Sequence, residues 1–393
     1  MSPDARFSVF AFYRDSPQRR EALGQPSGAP ERYLLFGLDE LVQEGIRVRH
    51  NLERGRPVAA WARAADIALN RVLYGAGGYG GDFVSVLPWL RAANAADVVF
   101  ATVDTVGIPV VLLARSGLVR PPVVYTAVGL PERLARLEGE RMRRLYAGAL
   151  RRARAIVAYS ESEADRLRSW LGPAAPPVVF VPFGVDVRAF APIPGVVPEV
   201  DVLSIGADPR RDFGLLTLIA HRRPEWRVRI VATADRARSL GVPPKNVAVE
   251  TDIPLGDVRD RLAGARVVAL PVHENSYSGA TTVLLQAMAM AKPVVVSRTE
   301  AIAHGYGLED GFNCRLVEPG DADAFERAVL DLLADEQAAA ALGSRARETA
   351  ERRHSWDRYA NAIRETLARA AGELTSSWPS PSATPSGRAS GAP

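Results

Sequence analysis

Pro271-Val-His-Glu-Asn-Ser-Tyr-Ser-Gly-Ala-Thr-Thr-Val-Leu-Leu-Gln-Ala-Met-Ala-Met-Ala-Lys-Pro-Val-Val-Val-Ser297 is the stretch that decides the fold. An apolar strand ends at Val272, a small polar loop follows, a helix begins near Gly279 and continues to Ala291, and a second apolar strand runs from Pro293 to Ser297. Two β-branched runs joined by a helix form a βαβ unit, and therefore a parallel sheet. The loop sets backbone N–H groups, from Ser278 to Thr282, and the positive end of a helix dipole at the carboxyl edge of that sheet. An anion is stabilised in such a place. Asn275, Ser276, Tyr277, Ser278, Gly279, Ala280, Thr281, Thr282 and Gln286 are the candidate ligand contacts, although an ordinary βα turn has the same local pattern.

The same rhythm extends in both directions. Around the quoted block, strands are expected at Asp201 to Gly206, Arg227 to Thr233, Val247 to Ile253, Val267 to Val272 and Cys314 to Val317, with a helix at Asp323 to Leu333. An earlier series begins at Phe7 to Tyr13 and continues at Arg47 to Leu52, Asp97 to Thr102, Val123 to Val128, Ala155 to Ser160 and Val178 to Phe183, with helical stretches at Glu31 to Gly45 and Ala59 to Leu73. Most of these runs are apolar throughout, as strands covered on both faces must be. Between the series, Ala189 to Glu199 holds Pro192, Pro194 and Pro198, which disfavour helix and central strand alike. The expected division is 1–190, 199–354, a terminal helical segment 355–374, and a Ser/Pro/Ala-rich tail 375–393 too poor in apolar residues to fold.

The 393 residues are 47% hydrophobic and 24% charged, an ordinary globular balance. A net charge of +4 from 49 basic and 45 acidic residues is too slight for a dedicated nucleic-acid binder, so no nucleic acid is expected as partner. Cys314 is the only cysteine, which excludes an intrachain disulfide or a Cys-based metal cluster and suits a reducing, cytoplasmic setting. Neither a signal peptide nor a spanning helix is expected. His50, His221, His273, His304 and His354 are scattered without HExxH or i, i+4 spacing, so no metal site and no cofactor is expected. Gly75-Ala-Gly-Gly-Tyr-Gly80 spells GxGxxG but follows a helix instead of a strand, and reads as a flexible loop at the mouth of a cleft.

A second cluster lies in Leu203-Ser-Ile-Gly-Ala-Asp-Pro-Arg-Arg-Asp-Phe-Gly-Leu-Leu216. Gly206 ends a strand, and Arg210, Arg211 and Asp212 are expected to open the next helix. Two arginines there form charge-assisted bonds to a diphosphate, with Asp212 orienting one of them; a solvated surface pair is the alternative.

These residues, in this order, resemble the retaining glycosyltransferases of the GT-B fold, family 4 (glycosyl transferases group 1). That family reads as a glycine-ended strand with a basic residue before the first helix, an EGFGxxxLEAMAxGKPVV block, and DGxNGxLVxPGD. The counterparts are Gly206 with Arg210 and Arg211, the block 278–295, and Asp310-Gly-Phe-Asn-Cys-Arg-Leu-Val-Glu-Pro-Gly-Asp321. Ala155 to Glu163 and Val179 to Phe190 resemble the end of its N-terminal domain, and the likeness covers roughly 96–367. The family's Glu-x7-Glu pair falls on Ser278 and Gln286, and a histidine common in its N-terminal domain falls near Val128. Asp104 is then the nearest polar candidate for catalysis, with a helix N-cap role equally open.

The resemblance implies two Rossmann-like domains facing a central cleft, with a C-terminal helix, His354 to Ala371, crossing back to the first domain. It implies metal-independent transfer of a hexosyl unit from a nucleotide-diphosphate sugar, UDP being the commonest, to an acceptor hydroxyl with retention, in polysaccharide, glycolipid or natural-product glycosylation. The alternative is a non-catalytic GT-B partner or nucleotide-sugar-binding subunit. Leu134 to Arg154, rich in arginine among Leu, Met and Tyr, is a candidate for weak peripheral membrane contact. The oligomeric state is left open.

Overall fold

The computed structural model describes residues 7–53, 59–277, 279–374 and 377–378. Ser278 therefore lies outside the described residues, as does the expected tail apart from Ser377 and Trp378. Among the described residues, twelve parallel strands fall into two six-stranded sheets. The first holds β1 (Ser8–Phe12), β2 (Arg47–His50), β3 (Val98–Ala101), β4 (Val123–Ala127), β5 (Ala153–Ala158) and β6 (Val178–Phe180), in spatial order 2-1-3-4-5-6. The second holds β7 (Val200–Ile205), β8 (Val228–Ala232), β9 (Val247–Thr251), β10 (Ala265–Leu270), β11 (Val294–Ser297) and β12 (Arg315–Val317), in order 12-11-10-7-8-9.

Every strand expected from the sequence is present, because helices cover both faces and each central strand must be apolar along its whole length. β3 and β4 are buried at every position, whereas the edge strand β2, RVRH, alternates. In each sheet the strand order reverses beside the first strand, between β1 and β3 and between β7 and β10. Ligand crevices form outside the carboxyl ends of strands at such reversals, so the fold nominates two places: the residues after β1 and β3, and those after β7 and β10.

The terminal helix Trp356–Ala371 packs on the first sheet, touching β3, β4 and β5. Its Tyr359 hydroxyl meets that of Tyr159 at 2.8 Å, and Trp356 donates to Glu40 at 2.7 Å. The crossing implied by the resemblance is thus in place. Three local readings differ. Glu31 to Gly45 is not one helix but a 3-10 turn, Pro30–Leu35, and a short helix, Leu38–Gln43, separated by Phe36 and Gly37 with φ of 53° and 88°. Helix Thr281–Ala289 starts two residues after Gly279. The Gly75–Gly80 segment is pinned rather than loose: Tyr79 stacks on Tyr146 with centroids 4.6 Å apart, and Asn70 holds both the N–H and the carbonyl of Gly81.

Candidate functional site

A cavity of about 920 Å³ lies over the reversal point of the second sheet and is closed on its other side by residues 14–34. Its floor is Gly206 after β7 and Gly279, Ala280, Thr282 and Gln286 around the start of helix Thr281–Ala289. Thr233 and Asp252 extend it past the ends of β8 and β9, and Arg14, Arg19, Glu21 and Glu31 face it from the first half of the chain.

Arg211 forms part of this wall and is only 1% exposed. Its Nη2 donates to Ser204 Oγ at 2.8 Å, while Nε and Nη1 have no hydrogen-bond partner. Burial pushes its pKa down to about 10, with nearby Asp208 opposing that shift, so it stays charged at neutral pH. The guanidinium lies directly beneath Gly206: a Cβ there would come within 2.6 Å of Arg211 Nε, which explains why the strand must end on glycine. The result is a fixed, desolvated cation with unspent donors at the edge of a cavity. A buried charge of this kind is stabilised by an anion supplied from outside.

The two arginines precede the next helix and point in different directions. Asp212 is the N-cap of helix Phe213–Arg222, accepting from Leu215 N at 3.0 Å, and it faces His273 Nδ1 at 3.5 Å. It orients neither arginine; the carboxylate beside Arg211 is Asp208, whose Oδ1 accepts from Arg210 N at 2.7 Å and from the Tyr277 hydroxyl at 3.0 Å. Arg210 is turned toward the first half of the chain, where its Nη2 meets Glu132 Oε2 at 2.7 Å.

Of the other expected contacts, Gly206, Gly279, Ala280, Thr282 and Gln286 line the cavity with Arg211. Asn275, Ser276, Tyr277 and Thr281 do not. Asn275, Ser276 and Thr281 are buried, with Ser276 accepting from Ser160 Oγ at 2.6 Å; Tyr277 packs over Gly129, where a Cβ would meet its ring at 3.3 Å. Ser276 and Tyr277 thus lie at the seam between the two halves of the chain.

Asp104 is also off the cavity wall. It is the first residue of helix Asp104–Arg115, with Val103 as N-cap, so it does not cap that helix. Its Oδ1 accepts from the Tyr125 hydroxyl at 2.5 Å and from Val128 N at 3.2 Å, and Arg133 Nε stands 3.7 Å from Oδ2. Burial pushes its pKa up to about 6. Glu163, which the sequence did not bring forward, sits beside it, accepting from Gly129 N at 2.7 Å and Leu130 N at 3.2 Å.

Arg14 and Arg19 were likewise not singled out. Arg19 is fixed by Leu34 O and Arg14 O and lies over the Phe36 ring; an arginine just past the first strand was the available signal. Among the described residues no group of three or more His, Cys, Asp or Glu side chains is placed to hold a metal ion, and no helix is long and apolar enough to cross a membrane.

A sheet pair of this topology defines a two-domain α/β protein, with a buried cation at the switch point of its second sheet. The sequence families described as "Glycosyl transferase 4-like domain" and "Glycosyl transferases group 1" match residues 6–184 and 215–335 respectively, and the chain belongs to the group 1 glycosyltransferases.

Its relatives include the D-inositol 3-phosphate glycosyltransferase of Kineococcus radiotolerans, 29% identical over 277 residues, 61% of each chain. Another is the MMP alpha-(1->4)-mannosyltransferase of Mycolicibacterium hassiacum, 30% identical over 46% of this chain and 45% of that one. The matched part thus spans less than two thirds of either relative. Among solved structures, sucrose-phosphate synthase from Thermosynechococcus elongatus superposes with a TM-score of 0.71 at 16% identity, covering 94% of this chain and all of that one. Anabaena Alr3699/HepE in complex with UDP-glucose gives 0.65 at 16% identity, covering 92% and 100%. The fold is GT-B.

Proposed function

We propose that the protein transfers a sugar from a nucleotide-diphosphate donor to an acceptor hydroxyl with retention, and that the 920 Å³ cleft holds the donor. The observation that carries this is Arg211: a buried cation on the cleft wall with two nitrogens free of hydrogen-bond partners, on the same cleft as the N-terminus of helix Thr281–Ala289. Negative charge grows on the departing diphosphate as the glycosidic bond breaks, and prepositioned donors in a water-poor site stabilise it without reorganising. Arg211 and the N–H groups from Ala280 to Thr282 supply that potential, so the reaction calls for no bound metal ion. Gln286 hydrogen-bonds the ribose, and the nucleoside runs toward Thr233 and Asp252.

A phosphate oxygen of the leaving group takes the acceptor proton on the same face, which accords with Asp104 lying away from the cavity. Arg14 and Arg19 close the cleft from the opposite side and add to its positive potential. HepE, whose structures hold UDP and UDP-glucose, supports UDP as the first nucleotide to test.

The test is a thermal-shift panel of nucleoside mono- and diphosphates and nucleotide sugars, since a ligand that binds only the folded state raises its stability by mass action. One diphosphate should stabilise strongly and its monophosphate weakly. Slow donor hydrolysis then separates an enzyme from a binding subunit. Equal shifts for mono- and diphosphate would remove the role given to Arg211.

A further inference from the structure

The helix Ala60–Gly75 is built inside out. Ala62 is its only buried residue, and the side turned to the protein is held by polar groups. Asp66 accepts from Val84 N at 3.1 Å, and Asn70 accepts from Gly81 N at 3.0 Å and donates to its carbonyl at 2.9 Å. Leu73 packs against the core of the first sheet, but Trp61, Ile67, Val72 and Tyr74 point outward, 57%, 66%, 69% and 62% exposed. Surface helices of globular proteins show the opposite arrangement. At about 100° per residue, Trp61 and Val72 share one flank of the outer arc and Ile67 and Tyr74 the other, with Ala64, Ala68 and Arg71 between. Arg63 and Arg71 are the helix's outward charges, and its one acid, Asp66, is spent on Val84 N.

The neighbouring surface has the same sign. Glu138 N donates to Gly77 O at 2.9 Å and Tyr79 stacks on Tyr146, which ties the end of this helix to helix Gly139–Leu150. That second helix exposes Arg141, Arg143 and Arg144 against Glu140, with Glu138 exposed just before it, so the surface is basic on balance. The stretch Leu134 to Arg154 turns Tyr146, Ala149 and Leu150 inward and shows mainly charged side chains outward. The apolar surface is supplied by 60–75.

We infer that this face docks on an anionic lipid surface, with the helix lying in the plane of the headgroups, Trp61, Ile67, Val72 and Tyr74 inserted, and Arg63 and Arg71 reaching the lipid phosphates. Charge complementarity selects this occupant. A second copy docking through the same helix would bring two faces of net positive charge together, whereas a bilayer offers an apolar layer and negative charge together. Trp and Tyr are the side chains suited to that boundary. The loop that follows the helix packs Gly81 so tightly on Thr105 and Pro109 that a Cβ would meet each at 2.6 Å, which puts the docked face beside the crevice after β3. The inference stands on the helix alone and holds whether or not the proposed transfer reaction is correct.

Flotation of the full chain with vesicles of equal parts phosphatidylglycerol and phosphatidylcholine, at low and at about 0.5 M salt, tests it without any donor present. The wild type should float at low salt and less so at high salt, and should not float with phosphatidylcholine alone at comparable strength. Arg63→Gln with Arg71→Gln should weaken binding to the anionic vesicles by roughly thirtyfold. Trp61→Ser with Ile67→Ser and Val72→Ser should abolish it while leaving the unfolding midpoint close to wild type, because these side chains are already exposed. Absence of flotation at low salt overturns the inference, as does wild-type flotation by the triple variant. A self-association removed by the triple variant in a protein that ignores vesicles overturns it in favour of a dimer.

Discussion

Two buried charge sites lie on either side of the seam between the sheets, and they are resolved in opposite ways. Asp104 and Glu163 are 4% and 0% exposed; burial raises the pKa of each, and the Asp104 charge adds to the rise at Glu163. A carboxylate in that position relieves itself by taking a proton, and both are committed to the backbone of 128–130. Arg211 is as deeply buried but cannot shed its charge under physiological conditions. It bonds only Ser204 and keeps two nitrogens free on a cavity wall. Burial of a charge is therefore not what marks a ligand site; unspent hydrogen-bonding capacity facing a cavity is.

The strongest test of the carboxylate side is Glu163→Ala. It leaves the buried Gly129 and Leu130 N–H groups without an acceptor, at about 1–3 kcal/mol each, so chemical denaturation should show a loss of about 2 to 6 kcal/mol. The diphosphate shift of the folded fraction should be unchanged. On the cation side, Arg211→Ala should lower turnover by roughly 10- to 150-fold, the equivalent of one or two charge-assisted contacts, and erase the preference for diphosphate over monophosphate. Wild-type kinetics in a folded variant would reduce Arg211 to a structural arginine and dissolve the contrast.

How much of this was legible in the sequence differs between the two sides. All twelve strands could be read, because doubly covered parallel strands are continuous apolar runs, and the donor block could be placed because strand, loop and helix are adjacent in the chain. Arg14, Arg19 and Asp252 reach the same cleft from loops far apart in sequence, and nothing local announces that convergence. The Asp104–Glu163 pair joins residues on two different helices through the turn at 128–130, so only the sheet order brings it together. Arg210 and Arg211 look equivalent on paper. The antiparallel bridge between Arg211 and Val272 sends one side chain inward and leaves the other outside.

Asp104→Asn separates a clasp from a catalytic group. The folded pKa near 6 exceeds the ordinary 3.8, so between those values the folded chain binds more protons than the unfolded one. Stability falls as pH rises through that window, and the full cost of ionisation is present above about pH 6. Asparagine keeps an acceptor for Tyr125 and Val128 without the charge. The variant should exceed wild type by up to about 3 kcal/mol at pH 7, with the difference fading below about pH 4, and should retain donor hydrolysis. Loss of hydrolysis with stability gained would instead return Asp104 to the chemistry.

The smallest effect is expected at Arg210, and it bears most directly on the comparison. Its side chain and that of Glu132 are 36% and 22% exposed, and a partly solvated ion pair contributes under about 1 kcal/mol. Arg210→Ala should leave the unfolding free energy within that range and turnover within about fivefold of wild type. An effect as large as that of Arg211→Ala would mean that Arg210 leaves Glu132 when the donor arrives and that the two arginines act together on the diphosphate. Their different burial would then describe the empty cleft alone, and Glu132→Gln, by freeing Arg210 beforehand, should tighten diphosphate binding instead of leaving it unchanged.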